Sequence, residues 1–362
     1  MSTAPSPPAA AAGPPVPGAD PKSGAEPASA ADRSPRQRET WQRELAEAVR
    51  DPEVLCRELG LEGTVAAEAR AAAAGFPLLV PRPFLARMRR GDRRDPLLLQ
   101  VLPLAAEGEA RPGWVTDPLD EVAAIRAPAL VQKYAGRALL LATGACAVHC
   151  RYCFRRAFDY GDHGAGTAGI DAALAEIAAD GSIEEVILSG GDPLLLDDDR
   201  FGTLLARVVA IPTVRRLRIH TRLPVVLPSR VTPALVAALG RLPSPAVVVI
   251  HANHPAEIDA DVAAALRALA AGRSLLLNQA VLLAGVNDSH GVLAGLSSAL
   301  LDAGVLPYYL HLPDRVAGTA HFDVPEEVAV GLLAGLRDAL PGYAVPRLVR
   351  EVPGEPSKFR IA

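Results

Sequence analysis

The sequence predicts an α/β protein: a partial, TIM-like (β/α)6 barrel preceded by an N-terminal helical extension. Two observations carry this reading. From Arg137 onward, short apolar runs alternate with longer amphipathic ones, the pattern of repeated β/α units. Polar constellations then cluster just past the ends of the apolar runs, and in β/α barrels the loops at the strands' C-terminal ends form the face that carries the active site. The strand candidates are Ala138 to Ala142, Val186 to Leu188, Leu217 to Ile219, Ala246 to Ile250, Leu275 to Leu277 and Pro307 to Leu310. Six units leave a lateral opening, which the N-terminal helices or the chain's end could cover.

Residues 1–35 are rich in Ala, Pro, Gly and Ser and read as a disordered tail, because they cannot bury enough apolar surface to fold. Residues 36–130 form the N-terminal helical region. There Trp41, Leu45, Val49, Val54, Leu55 and Leu59 have helical spacing, broken near Asp51-Pro52, and a further helical stretch covers Phe84 to Met88 after Pro81 and Pro83. The barrel spans 131–345, with helices near Ile170 to Ala179, Phe201 to Val209, Pro233 to Leu239, Ala256 to Ala270, Val292 to Leu301 and Glu326 to Leu340. Residues 346–362 form a C-terminal segment.

The chain has 362 residues, half of them apolar, enough for one large domain with an extension. A net charge of −4 argues against nucleic-acid or anionic-membrane partners. No apolar run reaches the length of a bilayer span, and the N-terminus lacks the basic start and apolar stretch of a secretory signal. Few cysteines, clustered like a metal site, suit a reducing cytoplasm better than a disulfide framework.

Three of the four cysteines, Cys146, Cys150 and Cys153, fall in the run Cys-Ala-Val-His-Cys-Arg-Tyr-Cys-Phe-Arg-Arg. Three thiolates can hold a 4Fe-4S cluster and leave its fourth iron open to a ligand, unlike the four-thiolate ligation of simple electron carriers. A zinc site with His149 as fourth ligand is the alternative, less favoured because zinc sites usually arrive as two separated cysteine pairs. Cys56 lies in a helical context and reads as a small core residue. His251 and His254 end a strand and turn at Pro255, which favours packing or hydrogen bonding over metal ligation.

Only three of the 37 basic residues are lysines: Lys22, in the tail, Lys133 and Lys358. Where lysine persists, an amine has a use that arginine cannot supply. Lys358 sits in the rigid run Pro353-Gly-Glu-Pro-Ser-Lys358, where a fixed amine can form a Schiff base with pyridoxal 5′-phosphate. Ser189-Gly190-Gly191-Asp192-Pro193-Leu194 follows a strand, and its glycines permit close backbone approach to a ligand, with exposed amides and carbonyls to grip it.

The Cys-x3-Cys-x2-Cys spacing resembles the signature of radical S-adenosylmethionine enzymes. The Gly-Gly-Asp-Pro turn behind it looks like the motif with which such enzymes hold the methionyl amino group. Together with Lys133-Tyr134, Arg218 to Pro228, His251 to Ile258, Asn278 to Asp288, Pro307 to Phe322 and Pro353 to Lys358, these segments resemble the lysine 2,3-aminomutase family from about Trp41 to Arg360. The resemblance implies a radical S-adenosylmethionine barrel using a 4Fe-4S cluster, S-adenosyl-L-methionine and pyridoxal 5′-phosphate, a reducing system for the cluster, and L-lysine as substrate. It implies cluster ligation by Cys146, Cys150 and Cys153, and S-adenosylmethionine binding by Ser189, Gly190, Gly191, Asp192 and Pro193. Lys358 would carry the pyridoxal group, with Lys133, Tyr134, Arg222 and Gln279 around it. Arg155 would clamp the substrate carboxylate, and Asp314 and Glu351 would bind the distal ammonium. Lys133 stands where free-lysine enzymes have arginine, and Glu351 where they have aspartate.

Within the family, the phrases Cys-Arg-Tyr-Cys-Phe-Arg-Arg and Gly-Glu-Pro-Ser-Lys, with four residues after Lys358 and no cysteine after Cys153, are most similar to the branch that makes (R)-β-lysine for elongation factor P. That implies a functional link to elongation factor P and its lysyl ligase. The alternatives are a free-lysine 2,3-aminomutase of amino-acid metabolism and, from another class, a non-catalytic iron-sulfur redox sensor. A sensor would explain the cysteines but neither Lys358 nor the glycine turn.

Overall fold

The computed structural model describes residues 39–61 and 63–362, so the expected tail over 1–35 lies outside the described residues. The chain enters through helices α1 (Thr40–Ala46), α2 (Pro52–Leu59), α3 (Thr64–Ala72), α4 (Arg82–Leu85) and α5 (Pro96–Leu99). The break expected at Asp51-Pro52 is a helix start: the Asp51 carboxylate accepts from Glu53 N at 2.8 Å, and Pro52 occupies the first turn, where its missing N–H costs nothing. Cys56 is fully buried on the inner face of α2.

An antiparallel hairpin follows, β1 (Ile125–Ala127) and β2 (Leu130–Tyr134), which pairs with β3 (Arg137–Thr143). The chain then runs α6 (Thr167–Ala179), β4 (Glu185–Gly190), α7 (Asp198–Val209), β5 (Arg216–Thr221), α8 (Leu223–Val226), α9 (Pro233–Gly240), β6 (Val247–Ile250), α10 (Ala260–Ala271), β7 (Leu275–Val281), α11 (His290–Asp302), β8 (Leu306–His311), α12 (Glu326–Ala339), β9 (Arg347–Arg350) and β10 (Phe359–Arg360). All ten strands form one sheet in sequence order. Neighbours from β3 to β9 are parallel, and β10 returns antiparallel on β9.

The six expected strands are β3 to β8, each covered by a helix. β4 is buried along its whole length, as a parallel strand covered on both faces should be. A seventh parallel strand, β9, extends the sheet beyond the expected six, so the segment after residue 346 belongs to the same sheet. Among the described residues no backbone pairing closes the sheet. Near its two ends Lys133 of β2 pairs with Glu351, just after β9, while the N-terminal helices pack against the cysteine loop and α8. Trp41 of α1 is buried under the Arg230 guanidinium, 4.8 Å from its ring.

Candidate active site

A cavity of about 550 Å³ opens where the strands end, and its wall includes every expected site residue except Pro193, which is buried behind it. The cysteine loop that follows β3 is braced from outside the barrel. His149 N donates to Leu79 O at 3.0 Å and Arg151 N to Gln100 O at 2.8 Å. Arg151, fully buried, donates from Nε to Glu107 at 2.8 Å and from Nη1 to Phe76 O at 2.9 Å. The N-terminal region therefore fixes the loop's shape.

All three loop cysteines are free thiols on the cavity wall. Burial, reinforced by the neighbouring cysteines, pushes the Cys146 thiol well above its ordinary range, and Cys153 is pushed up to about 11 for the same two reasons. Deprotonated thiolates so close together need a compensating cation, which a cluster supplies. Among the described residues no three His, Cys, Asp or Glu side chains converge on a single-ion site. His149 is turned away, its Nδ1 2.9 Å from Pro77 O and its ring stacked on Phe76.

The glycine turn meets the cysteine loop rather than open space. A Cβ on Gly191 would lie 2.0 Å from Ala145 O, and Gly190, at φ +111°, would place one 2.5 Å from Thr143 O. Gly191 N donates to Thr143 O at 2.7 Å and Asp192 N to Ala145 O at 2.8 Å. Both amides are thus spent on the backbone just before Cys146, which corrects the expectation that they are exposed to a ligand. The Gly190 carbonyl accepts from Tyr160 OH at 2.7 Å. Asp192 is likewise committed: its carboxylate accepts from Thr221 Oγ1 and Arg222 N, each at 2.8 Å, and from Leu194 N at 3.1 Å. Burial outweighs these donors and raises its carboxyl to about 6. Asp192 therefore ties the turn to the loop after β5.

Arg222, expected beside a pyridoxal ring, is tied to the cysteine loop. Its Nη1 donates to Cys150 Sγ at 2.7 Å, and its Nη2 donates to Gln100 Oε1 at 2.6 Å and Glu257 Oε2 at 3.0 Å. Gln279 lies 3.0 Å from His251 Nε2, and His254 caps the turn at Pro255 through Ala256 N, so the two histidines serve packing and hydrogen bonding. Burial pushes His220 and His311 well below the ordinary imidazole range, and their Nε2 atoms, like Arg222 Nε, have no hydrogen-bond partner among the described residues. Buried polar atoms of this kind in a cavity wall fit a polar ligand.

Across the seam between the sheet's edges runs a chain of alternating charges: Arg155, Glu121, Lys133, Glu351, Lys358. Arg155 Nε and Nη2 donate to Glu121 at 2.6 and 2.8 Å, Lys133 lies 3.1 Å from Glu121 and 3.0 Å from Glu351, and Lys358 Nζ donates to Glu351. Burial, with the Glu351 charge nearby, raises the Tyr134 phenol. Burial opposes ionisation of Glu351, but the ammoniums of Lys358 and Lys133 win and hold its carboxyl well below the usual range. Asp314 differs from the rest. Its carboxylate forms no hydrogen bond or ion pair among the described residues, and burial, with Glu351 nearby, pushes it up to about 7.

Several cavity residues were given no site role by the sequence reading: Glu121, Arg137, Arg218, His220, Tyr309, His311 and Arg347. Arg137 had a signal. The Ala135-Gly136 turn puts Tyr134 opposite Arg137, whose guanidinium stacks 4.5 Å from the Tyr134 ring.

A family profile described as a 4Fe-4S single cluster domain matches residues 135–215, the stretch from β3 through the cysteine loop and the glycine turn. Fold and site define an iron-sulfur enzyme of the radical S-adenosylmethionine class. L-lysine 2,3-aminomutase of Escherichia coli is 46% identical over 322 residues, 89% of this chain and 94% of that protein. Its counterpart in Haemophilus influenzae is 43% identical, covering 90% of this chain and 97% of the relative. That of Clostridium subterminale is 37% identical over 77% of this chain and 67% of the relative. The chain belongs to the L-lysine 2,3-aminomutase family and is an isomerase, which sets the redox-sensor reading aside. No helix among the described residues is long and apolar enough to cross a membrane.

Proposed function

We propose that the chain converts free L-α-lysine to (R)-β-lysine by moving the α-amino group to C3. Asp314 carries the substrate assignment. The other three acids lining the cavity, Glu121, Asp192 and Glu351, have donors of their own, whereas the Asp314 carboxylate has none among the described residues and needs a cation. The distal ammonium of lysine is that cation, a reading supported by the similarity to the L-lysine 2,3-aminomutases of Escherichia coli and Haemophilus influenzae.

When bound, the cluster with S-adenosylmethionine supplies a carbon radical that takes hydrogen from C3, and pyridoxal phosphate supplies a ring that accepts unpaired electron density. Cys146, Cys150 and Cys153 hold the cluster. The Arg222 guanidinium beside Cys150 offsets thiolate charge, and Ser189 with the turn behind it borders the methionyl end. Lys358 carries the pyridoxal group. Lys133, Tyr134 and Gln279 line its surroundings, and Glu351 orders Lys358 and Lys133. Arg155 receives the substrate carboxylate, Asp314 the ammonium. The walls hold both ends of the substrate and exclude water from the reacting centre. Reduced, reconstituted enzyme given L-lysine should yield β-lysine, and cleavage of S-adenosylmethionine without β-lysine would sink the proposal.

A second reading sends the product to elongation factor P. It is favoured by the near-complete coverage of the Escherichia and Haemophilus relatives against two thirds of the Clostridium one, and by the phrases Cys-Arg-Tyr-Cys-Phe-Arg-Arg and Gly-Glu-Pro-Ser-Lys. Elongation factor P and its lysyl ligase, given this enzyme's product, should show the mass gain of one β-lysyl group in preference to lysyl. Equal transfer of both would remove this reading and leave free-lysine metabolism.

A further inference from the structure

Glu121 lies in an irregular segment before β1, yet it is buried and its two oxygens face two cations. A guanidinium presents two carboxylate-sized edges, one along Nε and Nη2 and one between Nη1 and Nη2. In Arg155 the first edge is filled by Glu121, at 2.6 and 2.8 Å. Nη1 donates to Ser189 Oγ at 3.2 Å, which leaves the end-on edge, with its remaining N–H groups, for a ligand in the cavity.

Glu121 is itself held firmly. Asp117 accepts from Glu121 N at 3.0 Å and from Val122 N at 3.1 Å, the Leu119 side chain is buried, and Lys133 braces the same carboxylate at 3.1 Å. Arg155 cannot rotate its fork without breaking two charge-assisted hydrogen bonds, and such bonds are roughly twice as strong as neutral ones.

We propose that Glu121 is a positioning residue for the substrate clamp: it occupies the side-on edge of Arg155 so that the end-on edge meets the α-carboxylate of the amino acid. The proposal rests on the reading that Arg155 binds that carboxylate. Glu121 need not touch the substrate, and its effect on binding is read in how well the two-oxygen end of the substrate is distinguished from a neutral amide.

The test uses the holoenzyme, with cluster and pyridoxal phosphate loaded but without S-adenosylmethionine, so that equilibrium binding is read without turnover. Calorimetry gives Kd for L-lysine and L-lysinamide in the wild type and in Glu121→Gln, Glu121→Asp and Arg155→Lys. The preference for lysine over lysinamide is a ratio within one preparation and does not depend on how much of a variant folds. Glu121→Gln should reduce that preference by about tenfold or more, the scale of one lost charge-assisted contact. Glu121→Asp, which keeps the charge on a shorter stem, should fall between. If Arg155→Lys abolishes the preference while both Glu121 variants keep it, Glu121 does not position the clamp and the inference is overturned. Should Arg155→Lys itself keep the preference, it is the underlying assignment of Arg155 that fails.

Discussion

Asp314→Asn is the most informative perturbation, because the Asp314 carboxyl is pushed from an ordinary value of 3.8 up to about 7 with no hydrogen-bonding or ion-pair partner among the described residues. Its folded value lies above its unfolded one, so the fold binds this proton more tightly than the unfolded chain does. Stability is therefore lost as pH rises from about 4 to about 7, where the carboxylate ionises unpaired. Three pKa units correspond to an upper limit of about 4 kcal/mol, and water in the cavity screens this to roughly 1–2 kcal/mol. In ligand-free protein Asp314→Asn should thus raise Tm at about pH 8 by several degrees and leave it nearly unchanged at about pH 4.

With substrate the sign reverses. The ammonium of lysine needs the ionised carboxylate, so wild-type kcat/KM for lysine should climb about tenfold per unit below about pH 7 and level off above it. Loss of one partner of a buried charge pair costs roughly 2–5 kcal/mol, so Asp314→Asn should lower kcat/KM for lysine by at least about tenfold at pH 8. It should also flatten the acid limb, while cluster content stays the same. Parallel binding of L-norleucine, which lacks the ammonium, should not weaken. Wild-type lysine turnover in Asp314→Asn, with the acid limb intact, would refute the argument.

Lys358→Ala should prevent covalent capture of pyridoxal phosphate: borohydride reduction followed by peptide mass analysis labels Lys358 in the wild type and nothing in the variant. Gly191→Ala would set a Cβ 2.0 Å from Ala145 O, so iron content after reconstitution should fall severalfold with the helical circular dichroism signal retained. Glu351→Gln leaves Lys133 and Lys358 facing each other with no full counter-charge between them and should cost about 3 kcal/mol, read as a lower urea midpoint. Because the Glu351 carboxyl lies below its ordinary range, its wild-type contribution should persist through neutral pH and be lost only as pH falls into the strongly acid range.

What the sequence reveals depends on whether one element carries its own signal. β3 to β8 were legible because buried parallel strands must be apolar runs. β9 was not, since Leu348 and Val349 are flanked by Arg347 and Arg350. The cysteine loop was legible because three of the chain's four cysteines fall within eight positions, and the structure places all three on the cavity wall. The glycines at 190 and 191 were read as close approach to a ligand, and the sequence could not say that the backbone they approach is that of Thr143 and Ala145. Glu121, Gln100 and Glu257 were invisible, because a loop acid or amide acquires its role only from partners far along the chain, here Arg155 and Arg222. Arg222 itself was seen, but its bonds to Cys150, Gln100 and Glu257 were not, for the same reason.

The order of charges along the seam bears on the proposal that Lys358 carries the pyridoxal group. Glu121, Lys133 and Glu351 are interior members with an opposite charge on each side, so removing any one strands two like charges. Lys358 is an end member. If its amine is given over to a covalent linkage, Glu351 still has Lys133 at 3.0 Å, so the charge chain from Arg155 to Glu351 stays paired. An amine placed in the interior could not be spent in this way without opening the cavity it serves. The seam therefore implies an ordering of stabilities in which Lys358→Ala unfolds at a urea concentration close to that of the wild type while Glu121→Gln and Glu351→Gln unfold earlier. A Lys358→Ala variant as unstable as either would show that the amine holds the fold together and is not free for chemistry.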